Sequence, residues 1–382
     1  MAGEKIVVVG GGIGGLTAAA ALAQAGFAVT LLEATAAFGE VGAGVTLAPN
    51  AMKGLAHIGI ADAVAAAGVE PPRQRIQHWQ DGRTLLQFER GDSRERYGAP
   101  YVYIHRADLH AILVEAARLA GVELLTGSTV ASVHAEGVKT QDGRSVPGSI
   151  VVGADGLKSV VRKLFDPQPA YFTGHVAWRM LAPAEGPLAD LAQWPGMHIG
   201  PGRMVVRYPL RGSRILNMVF FARQGGWNEE GWAIPGSAEE LVATYDGWCD
   251  EVQAMVAAAS RGPLFKWALN ARTPLSDWLI DDRITLLGDA AHAMTPFLGQ
   301  GAACAIEDAI VLARAMGAAG STAEGLRRYV AARRDRANFI QLESNENADR
   351  LQGDDSSLFG LGNLRNEETL GLFAYDCRTT PV

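Results

Sequence analysis

Cysteine is scarce, and the little there is cannot build a framework. Cys249, Cys304 and Cys377 are odd in number, widely spaced and without a CxxC pair. That argues against a disulfide scaffold or a zinc site and suits a reducing cytoplasm, with the thiols packed as small apolar groups. No run of about eighteen apolar residues occurs, so no membrane-spanning helix is expected. Basic charge is in the minority, 34 Lys and Arg against 41 Asp and Glu, for a net charge of −7. Neutralising phosphates needs the opposite balance, so nucleic acid is not the expected partner, and no basic block marks a membrane surface. No segment repeats, and no low-complexity tract is present. Met1-Ala2-Gly3-Glu4-Lys5 runs straight into a motif that cleavage would destroy, so no signal peptide is expected.

Glycine, by contrast, is abundant at 45 of 382 residues, with no collagen period. These glycines must serve turns, close packing or backbone approach to a ligand. At about 150 residues per domain the chain holds two or three domains. Ile6 to Val9 reads as a buried parallel strand, Leu16 to Ala25 as a helix stopped by Gly26, and Phe27 to Leu32 as a second strand. Between the first strand and the helix stands Gly10-Gly11-Gly12-Ile13-Gly14-Gly15, and Glu33 closes the second strand eighteen residues after Gly15. Strand, glycines, helix, strand and acid in this order form a dinucleotide-binding motif. Gly10 makes the tight turn, Gly12 lets the backbone approach a pyrophosphate, Gly15 packs helix on strand, and Glu33 accepts from a ribose diol.

Two later motifs follow the same strand-then-turn logic. Val151-Val152-Gly153-Ala154-Asp155-Gly156 ends a strand in Gly-Ala-Asp-Gly, with a helix expected after it. Ile284-Thr285-Leu286-Leu287-Gly288-Asp289 delivers a second acid at a strand end, followed by His292, Pro296, Phe297, Gly299 and Gly301. From Ala302 a helix is expected through about Met316.

Together these three motifs resemble those of the single-component FAD-dependent aromatic hydroxylases, the para-hydroxybenzoate hydroxylase superfamily, from residue 5 to about 340. His105-Arg106 followed by Leu109 adds to the likeness. The resemblance implies an α/β protein: a Rossmann-like (GR2-type) FAD-binding domain, an inserted β-sheet substrate domain and C-terminal helices. The expected boundaries are 1–165 with 276–345 for FAD, 166–275 for substrate, and a tail at 346–382. It implies FAD held by Gly10, Gly12, Gly14, Gly15, Glu33, Arg106, Asp155, Asp289, Pro296, Gly299, Gly301 and Ala302. NADH or NADPH is a transient co-substrate and O2 the oxidant, acting through a flavin C4a-hydroperoxide on a small aromatic or heteroaromatic, acidic substrate. A helix N-terminus near Gly301 suits a flavin ring that becomes anionic on reduction. No metal is implied, and the oligomeric state is open, a homodimer included.

Looser likeness to the salicylate, 3-hydroxybenzoate and 6-hydroxynicotinate hydroxylases lies in Gly42–Asn50, Gly174–Arg179, Arg207–Gly212 and Phe373–Asp376. It marks Tyr208 and His292 as candidate catalytic residues, and Tyr208, Met204, Phe297 and Arg179 as substrate-binding. Where several phenolic-acid members carry a His four residues before the Tyr, this chain has Met204. Where a pyridine-acid member has His, it has Thr46 and Phe297. The expected pocket is therefore more apolar, and a larger polycyclic substrate, hydroxylated or epoxidised, is the alternative. A non-catalytic flavin-binding protein has no residue in its favour.

Other readings come from composition and spacing. Arg179, Arg207 or Arg75 could pair a substrate carboxylate. Met204–Tyr208 and Ile215–Phe221 read as strands joined by a turn at Arg211-Gly212-Ser213. Trp178, Trp194, Trp227 and Trp232 read as packing residues. Ser321-Thr322-Ala323-Glu324 reads as a capping box opening a helix to about Asn347, with Arg327, Arg328, Arg333, Arg334 and Arg336 on a solvated face.

Overall fold

β-Branched residues dominate Lys5–Val9, and its Ile6, Val7 and Val8 are wholly buried. In the computed structural model, which describes residues 4–39, 43–226, 234–356, 359 and 365–382, this strand is central in a six-stranded sheet. Across that sheet run Leu279–Ile280, Ile284–Leu286, Ile150–Gly153, Lys5–Val9, Ala28–Leu32 and Glu123–Leu125. All pair in parallel except the first two, which are antiparallel. Helices Ile13–Gln24, Arg106–Leu119 and Gly301–Ala318 pack together around the glycine-bearing strand ends. Gly26 follows the first helix at φ +93°, a left-handed stop that glycine adopts without strain. Long helix Thr322–Leu351 opens as expected, the Ser321 hydroxyl accepting from the Glu324 amide at 3.3 Å.

The second sheet has eight strands, in the order Ile234–Pro235, Phe265–Ala271, Tyr171–Pro183, Ile215–Arg223, Arg203–Leu210, Gly196–Gly200, Arg73–His78 and Thr84–Glu89. Its registers sort side chains onto two faces, because successive residues of a strand point oppositely. Ala177, Phe221, Met204 and Ile199 are paired across it in one row, and Arg179, Val219, Val206, Met197 and Ile76 in the next. These share one face with Tyr208. Val205, Met218, Phe220, Trp178 and Met180 take the other face and form a core with helices Pro187–Gln193, Ala238–Thr244 and Asp250–Ala259.

Several expectations change here. Strands Arg73–His78 and Thr84–Glu89 hydrogen-bond into the eight-stranded sheet, so residues 73–89, assigned by sequence to the first 165 residues, belong structurally with the second sheet. After Gly153 no α-helix forms. The Asp155 carboxylate accepts from Ser159 Oγ and from the Val160 amide, which holds a turn that ends in the 3₁₀ segment Arg162–Leu164. Turn Arg211-Gly212-Ser213 has three consecutive positive φ values, 51°, 65° and 62°. Arg333 is not on a solvated face: it is wholly buried, whereas Arg327, Arg328 and Arg334 lie at the surface with Asp282, Glu324 and Asp335. The tail is fastened to the body by Lys53 Nζ, which donates to the carbonyls of Phe373 and Ala374 at 3.0 and 3.2 Å. Gly42, Trp227 and Trp232 lie outside the described residues.

Candidate functional site

A cavity of about 440 Å³ runs from the glycine-rich turns of the parallel sheet to the open face of the eight-stranded sheet. At the first end each glycine has a distinct steric reason. A Cβ on Gly10, whose φ is +107°, would meet the Ala154 carbonyl oxygen at 2.4 Å, and one on Gly15 would meet the Gly10 oxygen at 1.9 Å. A Cβ on Gly12 meets nothing within 4 Å, and Gly12 lines the cavity. Gly12 therefore borders open space at the amide end of helix Ile13–Gln24, a site shaped and polarised for an anion. Beside it Glu33 Oε2 accepts from the Gly11 amide and Oε1 from the Thr35 amide, both at 2.8 Å.

The middle wall comes from the third motif. Asp289 is exposed on it, and Pro296, Phe297, Gly299, Gly301 and Ala302 line the same cavity. Gly299 has φ +63°, which turns the chain so that helix Gly301–Ala318 starts against the cavity. Arg106, at the start of helix Arg106–Leu119, lines it from the other side. Gly14 lines it also, and a Cβ there would press Leu287 at 2.8 Å.

Behind this wall lies a buried ion network. Asp308 Oδ2 accepts from the Gly288 amide at 3.0 Å and is 2.6 Å from His292 Nε2, and Oδ1 accepts from Arg333 Nε at 2.8 Å. Glu307 is paired with Arg333 at 2.7 Å and Arg336 at 2.9 Å, and accepts from Asn50 at 2.7 Å. Asn50 also donates to the Gln300 side chain at 2.9 Å. Burial alone would raise the Asp308 pKa, but His292 and Arg333 overcome it and hold it at about 2. These bonds fix the Asp289 turn to the helix that starts at Gly301.

That network corrects one expectation. His292, read as a candidate catalytic residue, is fully buried against Asp308 and Trp278 and does not line the cavity, so it supports the turn instead of meeting a substrate. Asp155 is corrected likewise. Its neighbours Ala154 and Gly156 line the cavity, but its own carboxylate is spent on Ser159 and Val160.

At the far end the sheet supplies an aromatic and apolar floor. Met204, Tyr208, Arg179 and Phe297, all expected from sequence, line it together with Phe221 and Trp267. Tyr208 packs against the ribbon formed by Gly44–Leu47 and Val102–His105. It stacks on Tyr103 with centroids 4.6 Å apart and planes 14° from parallel, and a Cβ on Gly44 would strike its ring at 2.3 Å. Asn217 holds Gly44 there by accepting its amide at 2.9 Å. The phenol is hydrogen-bonded to Thr46, and burial, with Tyr103, raises its pKa far above the ordinary value. Burial there favours the neutral phenol. The Arg179 guanidinium lies 5.1 Å from the Trp267 ring centroid. Arg207 and Arg75 do not share this site, since their strand positions put them on the opposite face. Arg207 donates to Gln77 at 2.6 Å and is paired with Glu251 at 3.4 Å, and Arg75 lies 3.6 Å over Trp194.

Gln74, Tyr101, Trp267 and Glu367 line the cavity without having been expected. Gln74 shares the alternation of its strand with Ile76, a pattern visible in sequence. Tyr101 and Glu367 reach the cavity only through tertiary packing, which leaves no local signal. Among the described residues no group of three or more His, Cys, Asp or Glu could hold a metal, and no helix is long and apolar enough to cross a membrane.

The family model described as FAD binding domain matches residues 4–343. A 3-amino-4-hydroxybenzoate 2-monooxygenase of Streptomyces platensis is 37% identical over 90% of this chain and 87% of its own length. The 3-hydroxybenzoate 6-hydroxylase 1 of Aquipseudomonas alcaligenes is 34% identical over 98% of this chain and 95% of its own. Among solved structures, Klebsiella pneumoniae HpxO complexed with FAD and uric acid superposes with a TM-score of 0.82 at 27% identity, covering 100% of this chain and 94% of that one. The open cradle at Gly12, the exposed Asp289 and the helix start at Gly301 fit the cofactor this family carries, and the chain belongs to the FAD binding domain family of FAD-dependent aromatic monooxygenases.

Proposed function

We propose that the protein hydroxylates a small aromatic or heteroaromatic acid, using FAD, NADH or NADPH, and O2. The observation that carries this reading is the continuity of one cavity from the Gly12 cradle to the Tyr208 floor. Its relatives are named for 3-amino-4-hydroxybenzoate, 3-hydroxybenzoate and 6-hydroxynicotinate, all single-ring acids. Bound FAD would supply the redox chemistry, accepting a hydride and activating O2 for transfer of one oxygen atom to the ring.

The protein's part is binding, orientation and exclusion of water. Gly12 and the amide end of helix Ile13–Gln24 take the pyrophosphate, with Arg106 alongside, Glu33 takes the adenosine ribose and Asp289 a ribityl hydroxyl. The start of helix Gly301–Ala318 presents its positive end to the flavin ring and stabilises negative charge there. On the substrate side the Arg179 guanidinium suits a ring carboxylate by its planar fork. Tyr208 donates a hydrogen bond to a ring hydroxyl, from a position fixed by Tyr103 and Gly44. Met204, Phe221 and Phe297 keep water from the reacting ring.

The test is NADH and NADPH oxidation by FAD-loaded protein against hydroxybenzoates, aminohydroxybenzoates and hydroxynicotinates, with hydrogen peroxide measured in parallel. Stimulated oxidation with little peroxide and a hydroxylated product is expected. Indifference to every single-ring acid would end this reading.

A further inference from the structure

We propose that Gln74 is a specificity-determining residue whose side-chain amide donates a hydrogen bond to an oxygen on the substrate ring, at the end of the ring away from the carboxylate. This rests on the ring-acid reading above and adds a further point of contact to it. The strand registers place the residue. Gly196 pairs with Arg207 on one side and with Arg75 on the other. One residue on, Tyr208 and Gln74 therefore fall in one row of the same sheet face, two strands and about 10 Å apart. Arg179 is on that face also, two strands past Tyr208 in the opposite direction. All three line the cavity, so its floor carries a hydrogen-bonding side chain at each edge and one in the middle.

Chemistry fixes which way the Gln74 amide faces. Its Oε1 accepts from Arg90 Nε at 3.2 Å and from Arg90 Nη2 at 3.1 Å. A guanidinium has only donors, so the oxygen must face Arg90 and the Nε2 arm of the planar amide must turn away from it. Arg90 is itself held in place. It is buried, its Nη1 donates to Glu368 at 3.1 Å, and its guanidinium lies 4.9 Å over the Tyr101 ring and 5.2 Å over the Phe373 ring. Tyr101 and Gln74 line the cavity and Arg90 does not, which puts Arg90 behind the wall. Among the described residues Gln74 Nε2 has no acceptor, and it is not sealed inside the protein. A donor oriented in advance beside a cavity recognises an acceptor well, because little ordering is left for binding to impose.

The acceptor is a neutral oxygen and not the acid group. Glu367 lines the cavity close to Tyr101 and Arg90, so a substrate carboxylate would meet another carboxyl group at this edge. Arg179 offers a cation at the opposite edge, where the acid belongs. A hydroxyl, carbonyl or ether oxygen across the ring from the carboxylate accepts from Gln74 without bringing charge.

The test uses FAD-loaded protein and three ligands: benzoate, 3-formylbenzoate and 4-formylbenzoate. A formyl oxygen accepts hydrogen bonds and cannot donate them. Dissociation constants are read by calorimetry. At least one formyl acid should bind about five times more tightly than benzoate, the margin of one net hydrogen bond. Gln74→Met keeps the length and removes the amide; it should abolish that margin and change the benzoate affinity less than about twofold. Gln74→Glu keeps an oxygen for Arg90 and sets an acceptor where the donor stood, so it too should lose the formyl acid more than benzoate. Gln74→Glu decides the matter if Gln74→Met fails to retain FAD. Equal binding of all three acids in the unmodified protein overturns the proposal, as does an equal loss of benzoate and formyl acid in the variants. A margin that survives both Gln74 variants and disappears in Tyr208→Phe overturns it as well. Any of these results beside productive turnover of a single-ring acid leaves the hydroxylase reading standing. Binding and turnover of no single-ring acid overturns both.

Discussion

Single glycines in the first motif separate fold from cofactor. Gly12 has φ −76°, which any residue adopts, and its missing Cβ faces open space. Gly12→Val should fold and lose FAD, with affinity down at least tenfold, about 1.4 kcal/mol, read as the ratio of flavin to protein absorbance. Gly15→Ala should instead fail to fold stably, since its Cβ would sit 1.9 Å from the Gly10 oxygen. A stoichiometric flavin content in Gly12→Val would refute the cradle. Tyr208→Phe keeps the stack on Tyr103 and removes one donor, worth about 1–3 kcal/mol. Hydroxylation should slow about tenfold or more, with more hydrogen peroxide released per NAD(P)H oxidised. An unchanged product yield would take the phenol out of the reaction. At this scale the glycines were legible because backbone sterics leave a sequence signature. Asp155 and His292 were misread because an acid or imidazole near a motif has the same letter whether it faces a ligand or its own turn.

Elements are held by what is buried between them, and here that is charge. Helix Gly301–Ala318, helix Thr322–Leu351 and the Asp289 turn meet at Asp308, Glu307, Arg333 and His292, all wholly buried. Asp308 has a folded pKa of about 2, below its unfolded value near about 3.9. Its stabilising effect is therefore complete above about pH 4 and is lost as pH falls through about 2. Denaturant midpoints measured from pH 5 down to pH 2 should fall across that window, and Asp308→Asn should flatten this part of the fall. Removing Arg333 instead strands two buried carboxylates, and Arg333→Ala should cost about 3–5 kcal/mol at pH 7. An Arg333→Ala protein as stable as its parent would show the network to be idle. The helix itself was legible from its capping box, but five arginines on it gave no clue to which one is buried. The 3.6-residue period places Arg333 on the face of Val330 and Ala337, and only packing against Asp308 shows that face to be interior.

At the scale of the whole molecule the cavity has no single owner. One wall is Gly12 and Gly14, another is the turn from Asp289 to Ala302, and the floor is the second sheet. Most of that architecture was legible, because three strand-end motifs in order fix the parallel sheet and its ligand edge. The floor was less so. Alternation marks Met204, Val206 and Tyr208 as one face and Arg207 as the other, yet only the register to Phe221 and Val219 tells which face meets the flavin end. Strands 73–89 were missed for the same reason, since the strand that ties them to the sheet, Gly196–Gly200, lies more than a hundred residues from its partner Arg73–His78. A ligand that touches all three walls should bind the folded chain and not the unfolded one. Free FAD at about a hundred times its dissociation constant then adds about 2.7 kcal/mol. Stripping FAD should lower Tm by roughly 4–8 °C, since each kcal/mol shifts Tm by about 2–4 °C in a chain of about 200 residues and somewhat less in a longer one. Adding FAD back should restore it in the parent protein and leave Gly12→Val unmoved. A shift of equal size in both would mean that FAD stabilises the chain from somewhere other than this cavity.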